Sequence, residues 1–441
     1  MRIALLSPAG AMHRYSGNFG KSLHYAPLTL TTLAALVPPE IDLDIVIYDE
    51  TAGEIPKDIQ ADLIGITAIT GTSMRAYAYA DYFRKKGIKV VLGGVHPTML
   101  PMEAAEHADS VIVGIGDKSW PLLIRDFINN NMKKFYYQSD DVTLDDRPIP
   151  RRELLNPKRY ITMNSVEAIR GCPFPCTFCA YPAAFGKKIY KRPIKKIIEE
   201  IEQLLGKEVL FPDVNLLADV DYAKKLFREM IPLKKWWFGL TTSSIGADDE
   251  LIDLFKRSGC KGLLIGFESV SRSAQQFIHK NVNKVEEYDI LIKKLHNAGI
   301  MINGCFAFGS DEDDKSVFEK TVETVIKLKI DLPRYSILTP FPNTELYREL
   351  DAQGRIIERN WAMYDVEHCV FKPKNMAPEE LEAGLEWAWR ETYKISSITK
   401  RILHPGAILW VAAITNMGYR RYADKLRLFT KEIMCDNSDI R

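Results

Sequence analysis

Short apolar runs alternate with amphipathic stretches from the first residues of the chain. Runs rich in aliphatic and β-branched residues fall at 3–7, 43–48, 63–69, 90–93 and 110–113. Between them, apolar residues recur at helical spacing over 28–37, 74–85, 102–107 and 120–129. The runs are nearly continuous in hydrophobicity, as expected of strands in a parallel sheet covered on both faces. Five βα units predict a doubly wound domain over residues 1–130. Its ligand would lie beyond the carboxyl ends of the strands. The loops there, 7–20, 48–53, 67–73, 93–98 and 114–118, are rich in Gly, Ser and Thr. Such loops let backbone approach a bulky ligand. The competing reading is that their glycines simply turn corners.

Residues 131–165 break the periodicity with polar and Pro-bearing stretches and read as a connector. A second βα series occupies 166–351. Its expected strands are 166–170, 209–213, 237–242, 263–268, 302–308 and 335–339. Six repeats rather than eight predict a barrel left partly open, with functional groups at the carboxyl ends of its strands. From 352 to 441 the pattern is mostly helical, and the aromatic stripe of Trp387, Trp389 and Tyr393 reads as core. The fold class is therefore α/β.

Composition narrows the classes. The 441 residues contain 46% hydrophobic residues, enough for sizeable cores, and the net charge of +1 gives no electrostatic footprint for nucleic acid. Seven cysteines in this length do not form a disulfide framework. The first residues form a strand-like run without the features of a signal peptide. The apolar stretch 407–414 is far shorter than the roughly 20 residues a membrane-spanning helix needs. A soluble cytoplasmic protein without a transmembrane segment is expected.

The chemistry concentrates in the run Arg170-Gly171-Cys172-Pro173-Phe174-Pro175-Cys176-Thr177-Phe178-Cys179, just after the first strand of the second series. Three thiolates cannot fill the ligand set of a four-iron cluster, which normally takes four. One iron is then open, and an open position is where a metal site does chemistry. A zinc site is the alternative, but it usually adds a second Cys/His pair at short spacing. Here Cys260, Cys305, Cys369 and Cys435 are scattered, and no His lies near the triplet.

The triplet resembles the cluster motif of the radical S-adenosylmethionine (SAM) superfamily, and Phe178 matches the aromatic usual before its third Cys. Roughly residues 1–400 resemble that superfamily's cobalamin-binding branch, which includes the anaerobic magnesium-protoporphyrin ester cyclase and the hopanoid C-methylases. The matching stretches include Leu92-Gly93-Gly94-Val95-His96-Pro97-Thr98, Gly266-Phe267-Glu268-Ser269 and Thr339-Pro340-Phe341-Pro342-Asn343-Thr344. There are departures. Gly114-Ile115-Gly116-Asp117 stands where the group commonly has Gly-Glu-Gly-Glu, and the Asp–His pair that ligates cobalt in other cobalamin proteins is absent.

The resemblance implies a Rossmann-like (flavodoxin-like) cobalamin-binding domain, a partial (β/α)6 radical SAM barrel and a helical C-terminal region. It implies a [4Fe-4S] cluster on Cys172, Cys176 and Cys179, with SAM on the open iron, cleaved by an electron to a 5′-deoxyadenosyl radical. Around SAM it implies Phe178, Ala180, Tyr181, Asp213, Ser243 and Glu268. A rim salt bridge is the alternative for Glu268, and a turn cap for Ser243. Around cobalamin it implies Thr67, Thr70, Gly93, Gly94, His96 and Gly114, with no protein histidine on the cobalt. His96 as a loop residue bonded to its own surroundings is the alternative there. Methyl transfer to a small-molecule substrate, apolar or large and planar, is the leading expectation, with a reductant such as flavodoxin or ferredoxin. An oxidative cyclase or rearrangement enzyme is the second reading. A non-catalytic cluster or cobalamin sensor is the third.

Overall fold

The computed structural model describes residues 1–10, 25–280, 282–404, 409–432 and 440. Residues 11–20 of the first expected loop and Cys435 lie outside the described residues. The first sheet comprises β1 (Arg2–Ser7), β2 (Asp44–Asp49), β3 (Leu63–Thr67), β4 (Lys89–Gly93), β5 (Ser110–Val113) and β6 (Phe135–Tyr137). All neighbours are parallel, in the order β2-β1-β3-β4-β5-β6. Alternation decides the faces. Ala4, Leu6, Val90 and Leu92 join one core, while Ile3, Leu5 and Val91 join another on the opposite side. Because both faces are buried, the runs carry no polar alternation. The sixth strand, β6, falls where the sequence predicts connector.

The second sheet follows the same rule. Strands β9 (Glu208–Phe211), β10 (Trp236–Thr242), β11 (Cys260–Glu268), β12 (Met301–Phe308) and β13 (Arg334–Ile337) are parallel and in sequential order. The strand expected at 166–170 is split. Ser165 bridges Leu210 in parallel, adding a sixth position to the sheet. Beyond it, β7 (Ile169–Arg170) peels away and pairs antiparallel with β8 (Tyr190–Lys191). The cause is Asp213. Its Oδ1 accepts the amide of Ala168 at 2.9 Å and that of Ile169 as well, replacing the ladder bonds these residues would otherwise make.

One core runs through the half-barrel into the C-terminal helices, from Val166 to Leu426. Helix Pro378–Thr392 closes the β13 edge, where Trp389 donates to the Tyr335 carbonyl at 3.2 Å. Covering that edge removes a row of unpaired backbone groups.

Candidate functional site

The carboxyl ends of the two sheets face a common space. A cavity of about 510 Å³ is lined from the first sheet by Thr67, Gly93, Gly94 and Gly114, and from the half-barrel side by Arg170, Tyr181 and Pro212. Its inner part is apolar. It runs between helix Leu28–Ala35 and the sheet, past Leu30, Leu33, Val91, Ile112 and Trp120. Backbone forms much of the rim. A Cβ on Gly94, whose φ is +105°, would lie 2.7 Å from the Ala68 carbonyl oxygen. Among the described residues, no imidazole, thiol or thioether lines the cavity.

Two residues expected beside Gly94 are turned away from this cavity. His96 is fully buried, with Nδ1 3.3 Å from Thr70 Oγ1 and Nε2 3.1 Å from Glu103. Glu103 also accepts from Trp361 at 3.0 Å. His96 and Thr70 thus brace the loop from behind and tie it to the C-terminal region, and the ring contributes no surface to the cavity.

The thiols lie on the other side. Cys172, Cys176 and Cys179 sit in one loop between β7 and helix Ala180–Phe185, all partly accessible. The loop is held by its backbone: the Thr177 amide donates to Ile278 at 3.4 Å, and the Thr177 carbonyl accepts from Leu346 at 3.0 Å. Asn215 Nδ2 lies 3.9 Å from Cys172 Sγ. Burial pushes the Cys176 thiol up to about 12 and that of Cys179 up to about 11. Left alone, both would stay protonated near neutral pH, so a metal bound there must displace their protons. Three free thiols in one loop, close enough for Cys172 and Cys179 to act on Cys176, fit a cluster with one iron unligated.

Lys280 is the residue that sequence reasoning missed here. It is buried and forms an ion pair with Glu268. Its charge favours the ionised form of Cys176 and Cys179. Glu268 stands at a bulge with φ +61°, at the end of β11. Gly266 makes the room: a Cβ there would lie 2.7 Å from Lys280 Nζ. Ser243 donates to Asn283 at 2.8 Å, and Asn283 in turn donates to the carbonyls of Gly266 and Phe267 at 2.8 Å each. Glu268 and Ser243 therefore share one hydrogen-bonded strand end beside the thiols. Phe178 is half-buried against the barrel core, and Ala180 opens the short helix after Cys179. Tyr181 lines the cavity with a buried hydroxyl that has no partner among the described residues, and burial pushes it up to about 12.

A charged joint connects the two sides. Arg147, from the expected connector, donates to both Asp117 oxygens at 2.7 and 2.6 Å and also pairs with Glu167. Arg170 pairs with Glu167 at 2.9 Å. Burial, then the nearby Arg170, lowers Arg147 to about 10. Asp117 is the acid left in the atypical loop after β5, and its partner is a protein arginine.

Comparison with known proteins gives three concordant findings. The family model described as the radical SAM superfamily matches residues 166–325. The bacteriochlorophyllide d C-12(1)-methyltransferase of Chlorobaculum tepidum is 33% identical over 388 residues, covering 85% of this chain and 84% of that protein. The anaerobic magnesium-protoporphyrin IX monomethyl ester cyclase of Cereibacter sphaeroides is 24% identical, covering 79% of this chain and 62% of its own length. Among solved structures, the radical SAM methyltransferase TsrM from Kitasatospora setae, with cobalamin and a [4Fe-4S] cluster bound, superposes with a TM-score of 0.69. It is 14% identical and covers 98% of this chain and 99% of that one.

Proposed function

Because the chain belongs to the radical SAM superfamily, in the branch that joins the barrel to a cobalamin-binding domain, we propose that it methylates an unactivated carbon of a chlorin-type tetrapyrrole. The observation that carries this reading is a glycine-rimmed, apolar cavity whose wall includes Arg170 and Tyr181, the residues that flank the three-thiol loop. The substrate class rests on the 33% identity to the bacteriochlorophyllide methyltransferase.

In this reading Cys172, Cys176 and Cys179 are the residues that would hold a [4Fe-4S] cluster, with three thiolates leaving one iron for SAM. When bound, the cluster supplies the electron that cleaves SAM to a radical, and cobalamin supplies the methyl group. The chain's own residues orient and shield. Glu268 and Ser243 offer acceptors at the strand end for the ammonium and ribose of SAM. The Lys280 ammonium offsets part of the thiolate charge in a low-dielectric surrounding. The Tyr181 hydroxyl, without a partner among the described residues, is available to a ligand. Thr67, Gly93, Gly94 and Gly114 cradle cobalamin by backbone, while His96 and Thr70 keep that loop in place. The reductant is a small electron carrier such as flavodoxin or ferredoxin.

The test is anaerobic reconstitution of the chain with iron, sulfide and cobalamin, then SAM, reductant and a bacteriochlorophyllide. Bound cobalamin, 5′-deoxyadenosine and a product heavier by one methyl group are expected. Failure to retain cobalamin would overturn the reading. A product that gains a ring or an oxygen instead of a methyl would move the chain to cyclase chemistry.

A further inference from the structure

The C-terminal helix Leu409–Glu432 has two unlike faces. One is engaged with the body of the molecule. Asn416 accepts from Arg401 at 2.8 Å and donates to the Asp331 carbonyl at 3.1 Å. Tyr422 meets Trp389 edge-on at 4.9 Å. The other face carries Trp410, Ile414 and Met417, which are 70%, 58% and 47% exposed. Their spacing of i, i+4 and i+7 puts them in one stripe about 10 Å long. Since the inner face is already packed and hydrogen-bonded, the stripe is not an unfinished part of the core. Exposed large apolar side chains grouped in this way mark an interaction surface.

The charge around the stripe identifies the partner. Exposed Arg421 and Lys425 continue the same face at i+11 and i+15. Across residues 394–425 the exposed charges are Lys394, which pairs with Glu391, and Lys400, Arg421 and Lys425, against the single acid Asp424, in a chain whose net charge is only +1. No helix among the described residues is long and apolar enough to cross a membrane. A Trp-bearing apolar stripe running into basic residues is the pattern of a helix lying in the plane of a bilayer interface. Indole rings favour the headgroup level, and Lys and Arg are drawn to anionic lipid. We propose that this face docks on an anionic lipid bilayer, inserting Trp410, Ile414 and Met417 at the headgroup boundary.

The experiment is vesicle cosedimentation of the full chain. Phosphatidylcholine vesicles are compared with vesicles containing about 30% phosphatidylglycerol, at low and high salt. The wild-type chain is expected to pellet with the anionic vesicles at low salt, and about tenfold less with the neutral ones. Trp410→Ser/Ile414→Ser, with an unchanged circular dichroism spectrum, is expected to lose about tenfold in binding. Brominated lipid should quench the wild-type tryptophan emission, a readout that holds even if the variant folds poorly. The proposal is overturned if wild-type protein stays in the supernatant with anionic vesicles, or if the folded variant pellets equally well. It is also overturned if the wild-type chain is a dimer that the variant turns into a monomer, because a second copy would then cover the stripe.

Discussion

Two parallel sheets built by one rule end in opposite kinds of chemistry. The first meets the cavity with backbone: Gly93, Gly94 and Gly114 leave room, and its charged neighbour Asp117 is already matched by Arg147. The second touches it through Arg170, Tyr181 and Pro212, and holds its reactive side chains behind them: three thiols, the Glu268–Lys280 pair, and Asp213 turned onto the departing first strand. A large cofactor held by shape needs space and apolar walls, which glycines and aliphatic residues give. A reactive cluster needs ligands and compensated charge, which only side chains give. The comparison therefore predicts that the two halves fail separately, and that Arg147 is where they fail together.

The largest effect is expected from Cys176→Ser. Iron and sulfide content should fall and SAM cleavage should be abolished, while cobalamin is retained at the wild-type level. Loss of cobalamin in the same variant would show that the halves are not independent. Next is Arg147→Met, which takes the closer of two cations from Asp117 and leaves it and Glu167, both largely buried, with Arg170 alone. Removing one partner of such a group costs about 3–5 kcal/mol. Urea unfolding should show that loss, and cobalamin and cluster occupancy should fall together. Third is Gly94→Ala. At φ +105° with a carbonyl oxygen 2.7 Å from the new Cβ, the substitution should cost about 1–3 kcal/mol. Cobalamin binding should weaken while cluster iron stays at the wild-type level.

Most of this architecture was legible in the chain because parallel strands buried on both faces announce themselves as apolar runs. The parallel strands read from the pattern differ from the observed ones mainly by a residue or two at their ends, except at the start of the barrel. There the run 166–170 is apolar enough for one strand, but a carboxylate 45 residues away takes the Ala168 amide and turns the chain aside. Such a partner leaves no periodic signature. The same holds for Lys280, twelve residues beyond Glu268 across a bend, and for Arg147, buried within a stretch whose Pro and acidic residues read as connector. β6 was missed because three residues are too few to show a period. For His96, sequence marked the right loop, but only the packing of Thr70, Glu103 and Trp361 shows that its ring faces inward.

The effect most diagnostic of how the half-barrel opens comes from Asp213. Asp213 is buried, its Oδ1 is occupied by two amides and its Oδ2 has no partner among the described residues. Burial raises its carboxyl from 3.8 to about 7. Between those values the folded chain keeps a proton that the unfolded chain releases. Its contribution to stability therefore falls as pH rises through that window, by at most roughly 1.4 kcal/mol per pH unit, and levels off above it. Asp213→Asn keeps an oxygen for the two amides and removes the titration. Thermal unfolding should find the variant close to wild type near the acid end of the window and the more stable of the two above about pH 7. The difference between the two curves isolates this group from every other that titrates there. If the curves stay parallel, Asp213 is ionised in the fold. Its hold on the first strand would then be that of a carboxylate stabilised by amide donors, and the half-barrel would open by a charged latch rather than a neutral one.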